Sequence, residues 1–299
     1  MQTPQRMTSK RLRVFSTIIA ALSYCVSNAG RLFVLVWFPC ALSSACLIGL
    51  EWLVYGFPPR LPQWLMFDYF RPPSWLTPIV LAPFAAMAWA FVLNEICDRN
   101  PDRGIVTVSR VRRGGIRFEL SPAVLIGTSI LVVSDLLDGL LQYVHIRLLA
   151  AVYPWFEAQE PLFNAFAHVT LAFPMLVVAL VEAWTYPIAA QVLRTGSFDP
   201  AGTRLSMRGN RLRLAAIFFL LAVVFYQLRV FLRPVTSWML RALVDKGLVW
   251  TPQEAAITYV IDFPFDVLWT GVWAVTIAMV MKALATHAPS DELTGRTSA

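Results

Sequence analysis

From Leu32 to Leu50 the chain carries no charged side chain, with Arg31 before the run and Glu51 after it. A helix of roughly 20 apolar residues crosses a ~30 Å hydrocarbon layer. Inside lipid, every backbone polar group must find its partner within the protein, and a helix does this on its own. Five further apolar runs of similar length follow, the last four carrying ionisable residues: Trp75 to Asn94, Pro122 to Gln142, Leu171 to Leu193, Leu212 to Phe231, and Phe263 to Met281. Of the 299 residues, 58% are hydrophobic and 14% charged. An average soluble protein is about 25% charged. A soluble domain of this size has too little interior for that much apolar surface, and disordered chains are polar and charge-rich. The expected fold is therefore all-α, a six-span transmembrane helical bundle with interfacial amphipathic helices.

Charge sets the expected orientation. Each basic residue near a span end is counted with its adjoining loop. The N-terminus, the 2–3 loop, the 4–5 loop and the tail then hold 18 of the 25 Lys and Arg, and the three opposite loops hold 7. Basic residues collect in cytoplasmic loops, so both termini are expected in the cytoplasm, with the protein in a bacterial inner membrane. The same bias accounts for the net charge of +7 without nucleic acid, for which there is no motif. The expected partners are the lipid bilayer and membrane proteins or further copies of the chain.

Residues 1–30 read as a cytoplasmic basic amphipathic segment, 31–285 as the six-span membrane domain, and 286–299 as a disordered cytoplasmic tail. Phe15, Ile18, Ile19, Leu22 and Val26 fall on one helical face behind Lys10, Arg11 and Arg13. Such a helix is expected to lie flat on an anionic membrane surface. A secretory signal peptide is the other reading of the same stretch. Asn28 and Gly30 break the helix before the first span.

The spans read as three repeated helical hairpins. Ala88-Trp89-Ala90, Ala183-Trp184-Thr185 and Val272-Trp273-Ala274 echo one another in the returning spans. Leu22-Ser23, Asn28 and Arg31-Leu32 are echoed by Leu205-Ser206, Asn210 and Arg211-Leu212 before the fifth span. The outer loops are rich in aromatic residues, which favour the headgroup region. Short interfacial helices are expected there, one of them begun by Thr251-Pro252-Gln253-Glu254, with Thr as N-cap and Pro at the first helical position.

The stretch Pro187 to Leu214 (Pro-Ile-Ala-Ala-Gln-Val-Leu, then Arg-Gly-Asn-Arg-Leu-Arg-Leu) resembles uncharacterised six-span bacterial inner-membrane proteins. These are similar to the membrane domain found beside some glycerophosphodiester phosphodiesterases. In that group an amphipathic helix ending in Asn or Gly-Asn feeds a span, as Asn28 and Gly209-Asn210 do here. The family's Trp-His-Arg and Gly-Glu at the end of its second span are replaced by Trp89-Ala90-Phe91 and Asn94-Glu95. The soluble catalytic domain of those enzymes has no counterpart, so the resemblance implies architecture and no chemistry.

Ionisable residues inside the spans carry the sharpest functional signal. An ionisable group at membrane depth costs about 2.5–3.5 kcal/mol on insertion scales and is a functional candidate by default. Thr128, Ser134, Asp135, Asp138, Gln142 and His145 share one arc of the third span. Glu182 lies mid-span in the fourth, and Asp262 and Asp266 lie one turn apart at the outer start of the sixth. Two readings stand. In the first, Asp135, Asp138, Gln142, His145, Glu182 and Asp266 form an acidic stripe in a vestibule open to the outside. Carboxylates held close together do not ionise independently, and a shared proton is exchangeable. In the second, the third span ends near Asp135, and the later polar residues are the wet face of an interfacial helix. Glu182 then makes a hydrogen bond or ion pair to another helix. Glu95, ending the second span, is expected to be solvated, and Arg229 to snorkel or pair with an acid.

Zinc-protease, nucleophile-elbow, P-loop and dinucleotide motifs are missing. Asp135-x-x-Asp138 with Asp262-x-x-x-Asp266 is similar in form to the Asp-rich pairs of membrane prenyltransferases. Those enzymes need more spans and a cytoplasm-facing site. No catalytic residue, metal or cofactor is expected, and no disulfide among Cys25, Cys40, Cys46 and Cys97. The leading expectation is a non-enzymatic membrane protein that binds lipid or a protein partner. The alternative is a small transporter or channel built on the acidic stripe. Acids grouped between helices favour the transporter, and acids paired one by one favour the binding protein.

Overall fold

The computed structural model describes residues 12–55, 72–97, 106–110, 116–120, 122–156, 159–245 and 254–285. Eight helices carry the fold: α1 (Val14–Ser27), α2 (Ala29–Tyr55), α3 (Pro72–Cys97), α4 (Pro122–Val152), α5 (Glu160–Thr195), α6 (Pro200–Ser206), α7 (Arg211–Asp245) and α8 (Glu254–Ala285). Six of them are long and apolar enough to cross a membrane, and they form an all-α bundle. Between α3 and α4 lies a small antiparallel hairpin of β1 (Val106–Arg110) and β2 (Ile116–Leu120), with Val106 opposite Leu120 and Arg110 opposite Ile116. Alternating β-branched and polar residues suit a strand pair, a signal that the span-by-span reading passes over.

The spans match the sequence runs, with two corrections. The third does not end near Asp135, because α4 continues unbroken for 31 residues. At 1.5 Å per residue that is about 46 Å, more than the hydrocarbon layer needs. The separate interfacial helix expected near Thr251 is also absent as such. Glu254 opens α8, which runs as one helix of 32 residues into the sixth span. Thr251, Pro252 and the tail from residue 286 lie outside the described residues.

The bundle centres on α8, whose span is 61% buried, and on α3, at 39%. Contact surfaces are lined by small residues. Ala82, Ala86, Ala88 and Ala90 of α3, Ala183, Ala189 and Ala190 of α5, and Ala274 and Ala278 of α8 are all buried. In lipid there is no hydrophobic drive between helices, so association rests on close van der Waals approach, which small residues permit. Large apolar residues such as Phe33, Phe38, Phe173 and Phe231 point outward instead. The hairpin picture holds for α2–α3 and α4–α5, which pack closely, whereas α7 packs more on α5 than on α8.

Helix α1 packs against the bundle. It buries Ala21 and Cys25, with Val14 and Ile18 against the core, and packs on α7 and α8. Of the apolar face read from sequence, Ile18 packs on the core while Phe15, Ile19, Leu22 and Val26 face outward. The helix is thus a component of the bundle with an outward apolar edge. Its start is fastened across the chain. The Leu12 backbone N–H donates to Asn210 Oδ1 at 2.8 Å, and Arg213 donates to the Leu12 carbonyl at 3.1 Å. Burial pushes the Cys25 thiol up to about 11.

Candidate functional site

Helices α4 and α5 run antiparallel and carry the acids. On α4, Asp138 accepts both hydrogen bonds from Gln142 Nε2, each 2.9 Å, one turn further on. Such i, i+4 pairs stabilise the helix that carries them. Asp135 lies one turn earlier and feels the charge of Asp138. From α5, Glu182 is buried and feels the charges of both aspartates. The structure therefore brings Asp135, Asp138, Gln142 and Glu182 into one neighbourhood.

Two residues beyond the sequence-read stripe complete this neighbourhood. The Tyr186 hydroxyl, four residues after Glu182 on the same helix, and the Trp273 indole N–H of α8 both lie within hydrogen-bonding reach of the Glu182 carboxylate. The i, i+4 spacing of Glu182 and Tyr186 is a signal that sequence can carry, but only tertiary packing delivers Trp273. Both aromatic residues belong to a buried layer. Trp89 of α3 stands edge-on to Tyr186 at 4.8 Å between ring centroids, and Phe218 of α7 contacts Tyr186 at 5.6 Å and Trp273 at 5.4 Å. Trp89 and Trp273 lie near the middle of their spans. The acidic group thus lies level with the middle of α3 and α8.

The Trp echo divides here. Trp89 and Trp273 turn inward, while Trp184 is half exposed and Tyr186 takes the inner place on α5.

Buried hydroxyls and an amide continue the polar line. Ser134 lies beside Tyr186, yet its buried Oγ completes no hydrogen bond of good geometry. Thr128 Oγ1 and Gln191 Oε1, nearer the Arg31 end, are likewise buried without a partner among the described residues. Buried polar atoms are nearly always satisfied, and exceptions mark places where water, an ion or a proton is handled.

Two expected members stand apart. His145 is half-buried further along α4 and is not among the groups acting on the acids. Asp266, two turns before Trp273 on α8, acts on Cys40 of α2 and is not among the groups acting on the acids either. The side chain of Asp262 lies outside the described residues. Glu95 is corrected too: it is not simply solvated but forms an ion pair with Arg31 at 2.6 Å, joining the end of α3 to the start of α2. Among the described residues no group of three His, Cys, Asp or Glu side chains is placed to hold a metal ion, and all four cysteines are free. No family model, no curated protein and no solved structure matches the chain.

Proposed function

We propose that the protein is a small proton-coupled carrier in which Asp135, Asp138 and Glu182 bind the proton. The observation that carries this reading is the meeting of three carboxylates from two spans in one buried neighbourhood. Among the described residues, no lysine or arginine is one of the groups acting on them. Three desolvated negative charges without a counter-charge are far too costly for the interior. Bound protons relieve that cost, and taking up and releasing them is the elementary step of proton-coupled transport. Tyr186, Ser134 and Thr128 supply hydroxyls along the same interface, suited to carrying a proton toward the Arg31 end.

The acids are grouped between helices, which favours the carrier over a lipid- or partner-binding assembly protein. In this reading the Arg31 end faces the cytoplasm of a bacterial inner membrane, and the chain acts without metal, cofactor or catalysis.

The test uses the whole chain in lipid. Infrared difference spectra between acidic and alkaline buffer should show the carbonyl stretch of protonated carboxyl groups. That band should diminish in Asp135→Asn, Asp138→Asn and Glu182→Gln. Proteoliposomes with a trapped pH dye should acidify under an inside-negative potential, and Glu182→Gln should abolish this. A carbonyl band indifferent to all three substitutions overturns the reading, as does a titrating band without proton entry.

A further inference from the structure

The turn between α6 and α7 holds a second, separate constellation. Arg204, Leu205, Arg208, Gly209 and Arg211 line an open cavity of about 350 Å³. Three arginines thus line one groove at an end of the bundle. The chain can make this turn because Gly209 adopts a φ of 80°, a left-handed conformation that costs glycine nothing. Asn210 follows it and is fully buried, anchored by the Leu12 N–H. The groove is therefore set on a fixed base.

Arg211 is held in place as well. Its guanidinium lies over the Trp184 ring at 3.7 Å, and Nη2 donates to the Arg204 carbonyl at 3.3 Å. A guanidinium has five N–H donors, so these contacts orient the fork without exhausting it. The apolar rim completes the picture. Leu205 and Leu212 are exposed, and Trp184 is half exposed beside Arg211. A cationic groove with a greasy flank, at the end of membrane-spanning helices, has the profile that suits a phospholipid. The phosphate would sit on the arginine forks and an acyl chain would lie along Leu212 and Trp184.

The geometry points to an anionic phosphate site formed by Arg204, Arg208 and Arg211, whose occupant is the phosphate of an anionic membrane lipid. This site is distinct from the acidic group and stands whether or not that group moves protons.

The experiment takes full-length protein from detergent into native mass spectrometry with phosphatidylglycerol, with phosphatidylcholine, or with inorganic phosphate alone. Phosphatidylglycerol should be retained in preference to phosphatidylcholine. The double variant Arg204→Gln, Arg208→Gln should lose about tenfold or more of that retention, the scale of two juxtamembrane cations. Arg147→Gln, on α4 outside the groove, should retain lipid like the wild type. The Arg204 carbonyl that fixes Arg211 belongs to the backbone and survives the substitution, and an unchanged melting temperature verifies the fold. If inorganic phosphate binds the wild type but not the double variant and lipid retention is equal in both, the site reads free phosphate and the lipid assignment falls. Equal retention of every ligand by all three proteins overturns the site altogether.

Discussion

Gly127 of α4 and Leu193 of α5 approach so closely that a Cβ on Gly127 would stand 2.8 Å from Leu193 Cδ2. Seven residues along α4 and seven back along α5, Ser134 meets Tyr186. Four more in each direction bring Asp138 to the level of Glu182. One register thus runs from a tight steric contact to the acidic group. Gly127→Val should destabilise the bundle by about 1–3 kcal/mol, the usual cost of overpacking. Leu193→Ala in the same chain should restore part of that loss, because it removes the side chain in the way. A double-mutant cycle of unfolding free energies checks this, and additive effects would show that the two sites do not share the strain.

Glu182 separates structure from proton handling. Glu182→Ala removes the acceptor for Tyr186 and Trp273 and should cost about 1–3 kcal/mol for each donor left unpaired. Glu182→Gln keeps a carbonyl acceptor and the shape of the side chain, so its stability should match or exceed the wild type. Thermal unfolding in mild detergent distinguishes the two. Equal losses in both variants would mean that the hydrogen bonds are not what the residue supplies.

Asn210 is the anchor for the start of α1. Asn210→Ala should leave the Leu12 N–H buried and unpaired, at a cost of about 1–3 kcal/mol. Limited proteolysis should then cut near α1 faster than in the wild type. Asn210→Asp keeps an oxygen acceptor and should protect that segment better than alanine does.

The Cys25 thiol reports on α1 packing. Only the thiolate is nucleophilic, and burial raises this group from 9.0 to about 11. At neutral pH the native protein should therefore resist alkylation at Cys25 and react rapidly once denatured. The sign of the linkage follows: the neutral thiol favours the folded state, so this contribution is complete below about 9 and lost as pH rises through about 11. Fast native labelling at neutral pH would place Cys25 outside the core.

The Arg31–Glu95 pair should matter little. Arg31 is 64% exposed, and exposed ion pairs contribute about 0–1 kcal/mol. Arg31→Gln should lower stability by less than about 1 kcal/mol, and high salt should erase the difference. A salt-independent loss would require a desolvated pair.

Much of this fold was legible in the run lengths, because lipid imposes a length on any helix that crosses it. The gaps in the reading have local causes. Asp135 and Asp138 looked like the end of a span, since a single helix shows no partner for them. Gln142 and the facing helix α5 provide what the sequence of α4 alone cannot show. Helix α1 was read by its most apolar face, yet contact between helices goes to the stripe with the smallest residues, Ala21 and Cys25. The i, i+4 pair of Glu182 and Tyr186 was readable, whereas Trp273 reaches Glu182 only through packing of α8. The basic groove was hidden because Arg204, Arg208 and Arg211 already had a sufficient explanation in the charge bias of their loop.

The bonds from Leu12 to Asn210 and Arg213 impose an order of assembly. When α1 leaves the ribosome, its partners lie about 200 residues behind, some 10–40 s of synthesis at roughly 5–20 residues per second. Through that interval the head of the chain must wait with its first backbone groups unclaimed. The clasp closes only after the fourth span is made and the turn behind it has emerged.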